Sequence, residues 1–287
     1  MRSISTVVFP VAGLGTRMLP ATKVTPKELL PVYDTPLLQF AVEEALAAGA
    51  KRLVFVSHPA KSAIEAYLRP DQTLEAELTA KGKTELLEAV QAASVPSDVE
   101  VVFTMQEEQL GLGHAILCAA PHVLDGPVGV ILPDDLILGA PCMREMAEAF
   151  DPERMRSLVA AQRVPADRVS SYGIFDCDCD GADGKARTLA ARGFVEKPDP
   201  ADAPSDLAAV GRYVIAPDVF DALTRTERGA GGEIQITDAI AAAGAIHAFR
   251  FSGTRYDCGS KDGIVDATLA VQAARRDNEV PLAIAAE

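Results

Sequence analysis

Four short apolar runs in the first half of the chain constrain the fold more than any other feature: "STVVFP" (5–10), "RLVFVS" (52–57), "EVVFT" (100–104) and "VGVILP" (128–133). They are β-branched and nearly continuous rather than alternating, the pattern of strands covered on both faces. Helical stretches lie between them. In "TPLLQFAVEEALAAG", Thr35 can cap a helix and Pro36 suits its first position, Leu37, Ala41 and Ala45 recur at every fourth residue, and Gly49 ends it. This alternation predicts β-α-β units and a parallel sheet. Residues 69–98 read as charge-rich helical excursions on the rim. The second half changes to shorter strands, "SLVAAQRV", "SYGIFDCD", "GFVEKP", "AVGRYVIA" and "IHAFRF", some paired as hairpins around turns such as Asp183-Gly184. "SKDGIVDATLAVQAARRD" reads as a last helix, with Ser260 or Asp262 near its start. The expected fold class is therefore α/β: a Rossmann-like three-layer α/β/α sandwich with a central mixed, mainly parallel sheet and a smaller β-rich lobe. No repeat or linker separates domains, so residues 1–287 are expected to form one domain with halves at 1–150 and 151–287.

Charge narrows the partners. With 27 Lys+Arg against 41 Asp+Glu the net charge is −14, which repels nucleic acid and anionic membrane and requires any anionic substrate to be drawn in locally. The five cysteines form no C-x-x-C pair and are odd in number, so neither a disulfide framework nor a zinc site is indicated. The N-terminus enters a strand without a long apolar h-region, and no apolar run reaches membrane-spanning length. A soluble, cytoplasmic protein is expected.

After the first strand comes "AGLGTRMLPATKVTPKELLPV". The dinucleotide fingerprint would need glycine where Met18 stands and an acid where Ser57-His58-Pro59 stands, and the P-loop would need Gly-Lys-Ser/Thr where Gly15-Thr16-Arg17 stands. What remains is that Gly13 and Gly15 lack Cβ atoms, so backbone N–H groups can approach phosphate oxygens as an anion-binding nest. A tight strand-to-helix turn without ligand is the other reading of an isolated G-x-G. Taken alone, Arg17 and Lys27 are solvated surface cations.

This segment resembles the signature of the nucleotide-sugar pyrophosphorylases, in the bacterial version that joins UTP to glucose 1-phosphate. "QEEQLGLGHAI", "LPDDL", "YGIF", "FVEKP", "VGRYV", "GGEIQITDAI" and "YDCGSKDG" follow in the family's order, so the resemblance runs from about residue 5 to residue 272. It implies that a sugar-phosphate oxygen attacks the α-phosphorus of UTP in line and pyrophosphate leaves, giving UDP-glucose. The nucleophile is already an anion, so no Ser, Cys or His needs activating, and positioning and charge neutralisation must supply the catalysis. Two phosphate charges within ~4 Å repel by about 1 kcal/mol in water and several-fold more in a dry cleft.

The resemblance assigns roles accordingly. Arg17, with its planar fork, and Lys27, a compact charge, meet the triphosphate. Mg²⁺, which takes oxygen ligands, would be held by Asp134, at the end of a buried strand, and by Asp257 in "RYDCGS"; Asp135 is the weaker candidate. Ala12, Gly13, Gly15, Gln106 and Gly111 would hold the nucleoside and its phosphates, with the Gln106 amide reading the uracil imide and Gly111 and Gly113 letting main chain approach the base. Glu196 would accept from sugar hydroxyls, Lys197 would grip the sugar phosphate, and Gly173 would leave room for the hexose, provided that a bend before Pro198 turns both charged side chains to one site. Thr237 reads as a helix cap. The 1–150 half then binds nucleotide, and 151–287 binds sugar phosphate. Assembly as a homotetramer or homodimer is implied by the resemblance only. The competing readings are another base or sugar, and a non-catalytic nucleotide-sugar sensor.

Overall fold

The computed structural model describes residues 4–178 and 186–276. In the first half the elements are β1 (Thr6–Pro10), β2 (Pro31–Val32), β3 (Thr35–Pro36), α1 (Leu37–Ala47), β4 (Arg52–Ser57), α2 (Ser62–Leu68), α3 (Gln72–Ala80), α4 (Thr84–Ala92), β5 (Glu100–Met105), α5 (Leu112–Ala119), β6 (Val128–Ile131), β7 (Asp135–Leu138) and α6 (Cys142–Ala149). The second half adds β8 (Ser157–Arg163), β9 (Gly173–Cys177), β10 (Thr188–Glu196), β11 (Leu207–Ile215), α7 (Asp218–Arg225), α8 (Ile236–Ala243), β12 (Ile246–Arg250), β13 (Thr254–Asp257) and α9 (Lys261–Arg276).

Among the described residues, one sheet runs β5-β4-β1-β6-β11-β8-β12-β10-β9. The four apolar runs of the first half are its parallel part, since β5, β4, β1 and β6 pair in parallel. Beyond β6 the pairing turns antiparallel, except between β8 and β12. The β-rich second half is thus continuous with the central sheet. The turn expected at Asp183-Gly184 lies outside the described residues; β9 and β10, which flank it, do pair antiparallel.

Near-continuous apolar strands require cover on both faces, and both faces are covered. Val7, Phe9, Leu53 and Phe55 pack with Leu38, Ala41, Ala45, Ile64, Met143 and Met146 from α1, α2 and α6. Val8, Val54, Val128 and Val130, pointing the other way by the strand's two-residue period, pack with Ile116 of α5, Phe220 of α7 and Ile240 of α8. These are the three layers. A smaller cluster of Val32, Leu136, Cys258, Ala267 and Val271 seats α9 against the β13–β7 ladder, so this helix braces the strand pair that carries Asp257 and directly follows Asp134.

Local signals held unevenly. Ser260 caps α9, its Oγ accepting from Gly263 N–H at 3.0 Å. Gly49, at φ 87°, ends α1 as expected. Thr35 does not cap that helix: it is drawn into the β2–β3 ladder, and its hydroxyl donates to Asp34. α3 and α4 bury no residue, as their charge implied. No helix among the described residues is long and apolar enough to cross a membrane.

Candidate active site

The parallel strands end on one edge of the sheet, and the chain segments leaving that edge build the site. After β1 the chain passes through Val11, Ala12 and Gly13 to Gly15, which adopts φ 65°. A Cβ there would stand 3.1 Å from Lys27 Cβ and 3.2 Å from Thr22 Cγ2, so Gly15 lets the loop fold back onto Lys27. Thr22 Oγ1 donates to the Gly15 carbonyl at 2.8 Å and fixes the fold-back. Gly13 differs, because a Cβ there would meet nothing within 4 Å and the space is open to a ligand.

Lys27 opens a short helical turn, Lys27–Leu29, and its Nζ donates to Asp134 Oδ2 at 2.6 Å, across 107 residues of sequence. Burial works against the Lys27 ammonium, but Asp134 and Glu28 outweigh it and its pKa lies above the ordinary lysine value. Burial likewise works against the Asp134 carboxylate, while the Lys27 charge and hydrogen bond, with Arg17 beyond, hold its pKa below the usual range. Both groups are charged at neutral pH.

Asp257, the last residue of β13, lies opposite Asp135 in the antiparallel β13–β7 ladder, which carries it to Asp134. The chain then turns at Gly259, whose N–H donates to Asp257 Oδ1 at 3.1 Å. A Cβ on Gly259 would stand 2.8 Å from Arg17 Nη2, 3.1 Å from Asp257 Oδ1 and 3.3 Å from Asp134 Oδ2. Arg17, Asp134 and Asp257, expected to act together but spread over 240 positions of sequence, therefore ring a single spot. Sequence reasoning overlooked Gly259 itself, although "DCGS" was in view.

The loop bearing Asp134 is held from both sides. Leu132 N–H donates to the Gly211 carbonyl at 2.8 Å, and the Leu132 carbonyl accepts from Arg212 Nη1 at 2.9 Å. Arg212 is 1% exposed and forms a buried ion pair with Glu44, which also accepts from Met143 N–H. On the other side Asp135 turns inward, accepting from Gly211 N–H at 2.8 Å and pairing with Arg255, which in turn stacks on Tyr172. Asp135 is thus spent on the scaffold, which leaves Asp134, paired with Lys27, as the carboxylate of the two that faces the site. The signal for this network was a lone arginine inside the apolar run "AVGRYVIA".

A cavity of 230 Å³ adjoins the glycine loop, lined by Pro10, Ala12, Gly13, Gln106, Gln109, Gly111 and Glu233 among others. Gln106 is buried; its Nε2 donates to the Gly111 carbonyl and to His114 Nδ1, both at 3.1 Å. That leaves Gln106 Oε1 as the end able to accept from an imide N–H. Gly111 and Gly113, expected to let main chain approach a base, are also packed against protein. A Cβ on Gly111 would meet Glu233 Cβ at 2.7 Å and one on Gly113 would meet the Ile234 carbonyl at 2.6 Å, so their bareness admits the Glu233-Ile234 segment. Gly111, at φ 91°, still lines the cavity.

At the far end of the sheet, Lys197 takes φ 46°, a left-handed conformation that supplies the bend expected before Pro198. Its Nζ stands 3.6 Å from Glu196, and its side chain is 64% exposed. Glu196 Oε2 lies 3.1 Å from where a Gly173 Cβ would be, so these two residues do face one another. Thr237 was expected to cap α8 and does not: it lies inside the helix, and its buried hydroxyl has no hydrogen-bond partner among the described residues.

This arrangement can be set beside known proteins. The profile of the nucleotidyl transferase family matches residues 8–274. The chain belongs to that family. Among nucleotidyl transferases it is 40% identical, over 98% of its length and 94% of the relative's, to the UTP–glucose-1-phosphate uridylyltransferase of Bacillus subtilis. Its fold matches a crystal structure of UDP-glucose pyrophosphorylase complexed with UDP-glucose, with TM-score 0.83 and 36% identity over 95% of this chain and all of that one. It also matches the UTP-bound UDP-glucose pyrophosphorylase of Acinetobacter baumannii, with TM-score 0.85 and 35% identity over 97% of this chain and all of that one.

Proposed function

We propose that this nucleotidyl transferase moves the uridylyl group of UTP onto glucose 1-phosphate, releasing pyrophosphate and giving UDP-glucose. The observation that carries the reading is the convergence of Arg17, Asp134 and Asp257 around Gly259, with Lys27 on Asp134, joined through one glycine loop to a cavity of nucleoside scale. Relatives that bear this activity in their names support the choice of base and sugar.

Uracil would enter the cavity beside Ala12, Gly13 and Gly111 with its N3–H on Gln106 Oε1. The loop N–H groups around Gly13 and Gly15, with Arg17 and Lys27, would take the triphosphate. Glucose 1-phosphate would approach from the β9–β10 side, its hydroxyls on Glu196, its ring over Gly173 and its phosphate on Lys197. An oxygen of the phosphate so held attacks the α-phosphorus in line, the bond from that phosphorus to the bridging oxygen breaks, and Arg17 and Lys27 neutralise the departing pyrophosphate.

A divalent cation fits the carboxylate end of the site, and we read it as Mg²⁺. The two available donors are carboxylates, both hard oxygens, and the bareness of Gly259 lets them and Arg17 converge. Asp134 and Asp257 would hold it, and when bound it would neutralise phosphate charge and polarise the α-phosphoryl group. Lys27 now neutralises Asp134 and is the group that a cation would release toward the phosphates. We further read the chain as one domain acting in the cytoplasm as a homodimer or homotetramer.

The test is pyrophosphate release from UTP, TTP, ATP and CTP with a panel of sugar 1-phosphates, with and without Mg²⁺. Turnover confined to UTP, highest with glucose 1-phosphate and lost on chelation, is expected. Preference for another nucleotide, or no turnover with any pair, would overturn the reading.

A further inference from the structure

Directly beneath the phosphate-facing loop lies an ion pair that none of the roles above uses. Glu28 follows Lys27 and is fully buried, while Lys61, just before α2, is 7% exposed. Lys61 Nζ donates to Glu28 Oε1 at 3.0 Å, to Glu28 Oε2 at 2.8 Å and to the Val11 carbonyl at 2.7 Å. All three ammonium donors are used. Lys61 is itself moored, its backbone N–H donating to the His58 carbonyl at 2.8 Å.

Stability is a weak reason to keep such a pair. Desolvating two charges offsets their attraction, and apolar residues of similar volume often serve as well or better. Burial here pushes the Glu28 carboxyl up and the Lys61 ammonium down, each toward its neutral form despite the partner. What two charges and a carbonyl do that a methyl-lined contact does not is fix direction. The Val11 carbonyl sits where the glycine loop leaves β1, and Glu28 is one bond along the backbone from Lys27. Lys61 therefore ties the root of the loop to the root of the cation, through the connection that follows β4.

We propose that the Glu28–Lys61 pair is a positioning device for uridylyl transfer. It holds Lys27 and the first N–H groups of the loop at a set spacing, so that both close on the same triphosphate. This rests on the function proposed above. Neither residue touches the reacting atoms; they act through Lys27 and Val11. Misplacing a charge-neutralising group by about 1 Å can cost 10²-fold in rate.

The test is the double variant Glu28→Met/Lys61→Met, which keeps volume and removes both charges, assayed beside the wild type with steady-state kinetics and thermal unfolding. The expected result is a folded enzyme whose Tm lies within a few degrees of wild type, whose kcat falls by about 10- to 100-fold and whose KM for glucose 1-phosphate changes less than twofold. Either single variant, which buries an unpaired charge, should be less stable than the double. A folded double variant with wild-type kcat overturns the inference. So does a double variant that fails to fold, because the pair would then serve stability. Absence of uridylyl transfer in the wild type would instead sink the proposed function itself, so the two failures are distinguishable.

Discussion

The proposed phosphate side of the cleft and its proposed sugar side are held in place by different means. On the proposed phosphate side Lys27 is fixed by Asp134, Asp134 by a loop clamped at Leu132 and Asp135, and the loop root by Lys61, all partners from distant segments. On the sugar side Glu196 and Lys197 are exposed neighbours at the end of β10, aimed by one left-handed backbone bend. Charge neutralisation in phosphoryl transfer tolerates little displacement, whereas a hydroxylated ring can be met by side chains that adjust. On this account the rigid side sets turnover and the open side sets sugar affinity. Substitutions on the two sides should therefore fail in different ways.

The largest effect should come from the rigid side. Asp134→Asn removes a candidate metal ligand and the counter-ion of Lys27, and turnover should drop by about 10³-fold while the unfolding transition persists, as checked by pyrophosphate release and thermal melting. Near-normal turnover would remove Asp134 from the chemistry. Gly259→Ala comes next. Its methyl would stand 2.8 Å from Arg17 Nη2 and 3.1 Å from Asp257 Oδ1, so kcat should fall by roughly 10- to 100-fold with little change in the KM for glucose 1-phosphate.

On the open side the signature should invert. Lys197→Ala is expected to raise the KM for glucose 1-phosphate about tenfold or more while the KM for UTP moves less than twofold, in steady-state assays varying each substrate. Equal changes in both would dissolve the distinction between the sides. The smallest effect should be that of Thr237→Val. Its buried hydroxyl has no hydrogen-bond partner among the described residues, so stability should stay within about 0.5 kcal/mol by denaturant melts and both KM values should move less than twofold.

The fold was legible in sequence wherever periodicity alone decides. The runs at 5–10, 52–57, 100–104 and 128–133 are strands because β-branched residues without alternation have to be covered on both faces, and the helices between them supply that cover. Sequence order gave no sign that β11 would enter beside β6 and carry the second half into the same sheet, because antiparallel insertion is decided by long-range packing. Local caps were less legible. Thr35 has the composition of a cap, but a neighbouring ladder claimed it.

The site divides in the same manner. Arg17, Lys27, Asp134 and Asp257 were singled out by the resemblance and lie close together in the fold, whereas the residues that hold them carried no motif. Glu28 resembles any surface acid in "KELLP" until its partner, 33 positions away, is seen to be Lys61. Gly111 and Gly113 were read as room for a base, and sequence gave no sign that Glu233 and Ile234 also press against them, because a glycine shows that something approaches closely without showing what.

The most direct measurement is a crystal structure with UDP-glucose and Mg²⁺ bound. The diphosphate should lie between the Gly13–Arg17 loop and the Asp134–Asp257 pair, with uracil on Gln106 and glucose on Glu196. A diphosphate lodged elsewhere, with Arg17, Lys27 and the two aspartates facing only solvent, would contradict the account.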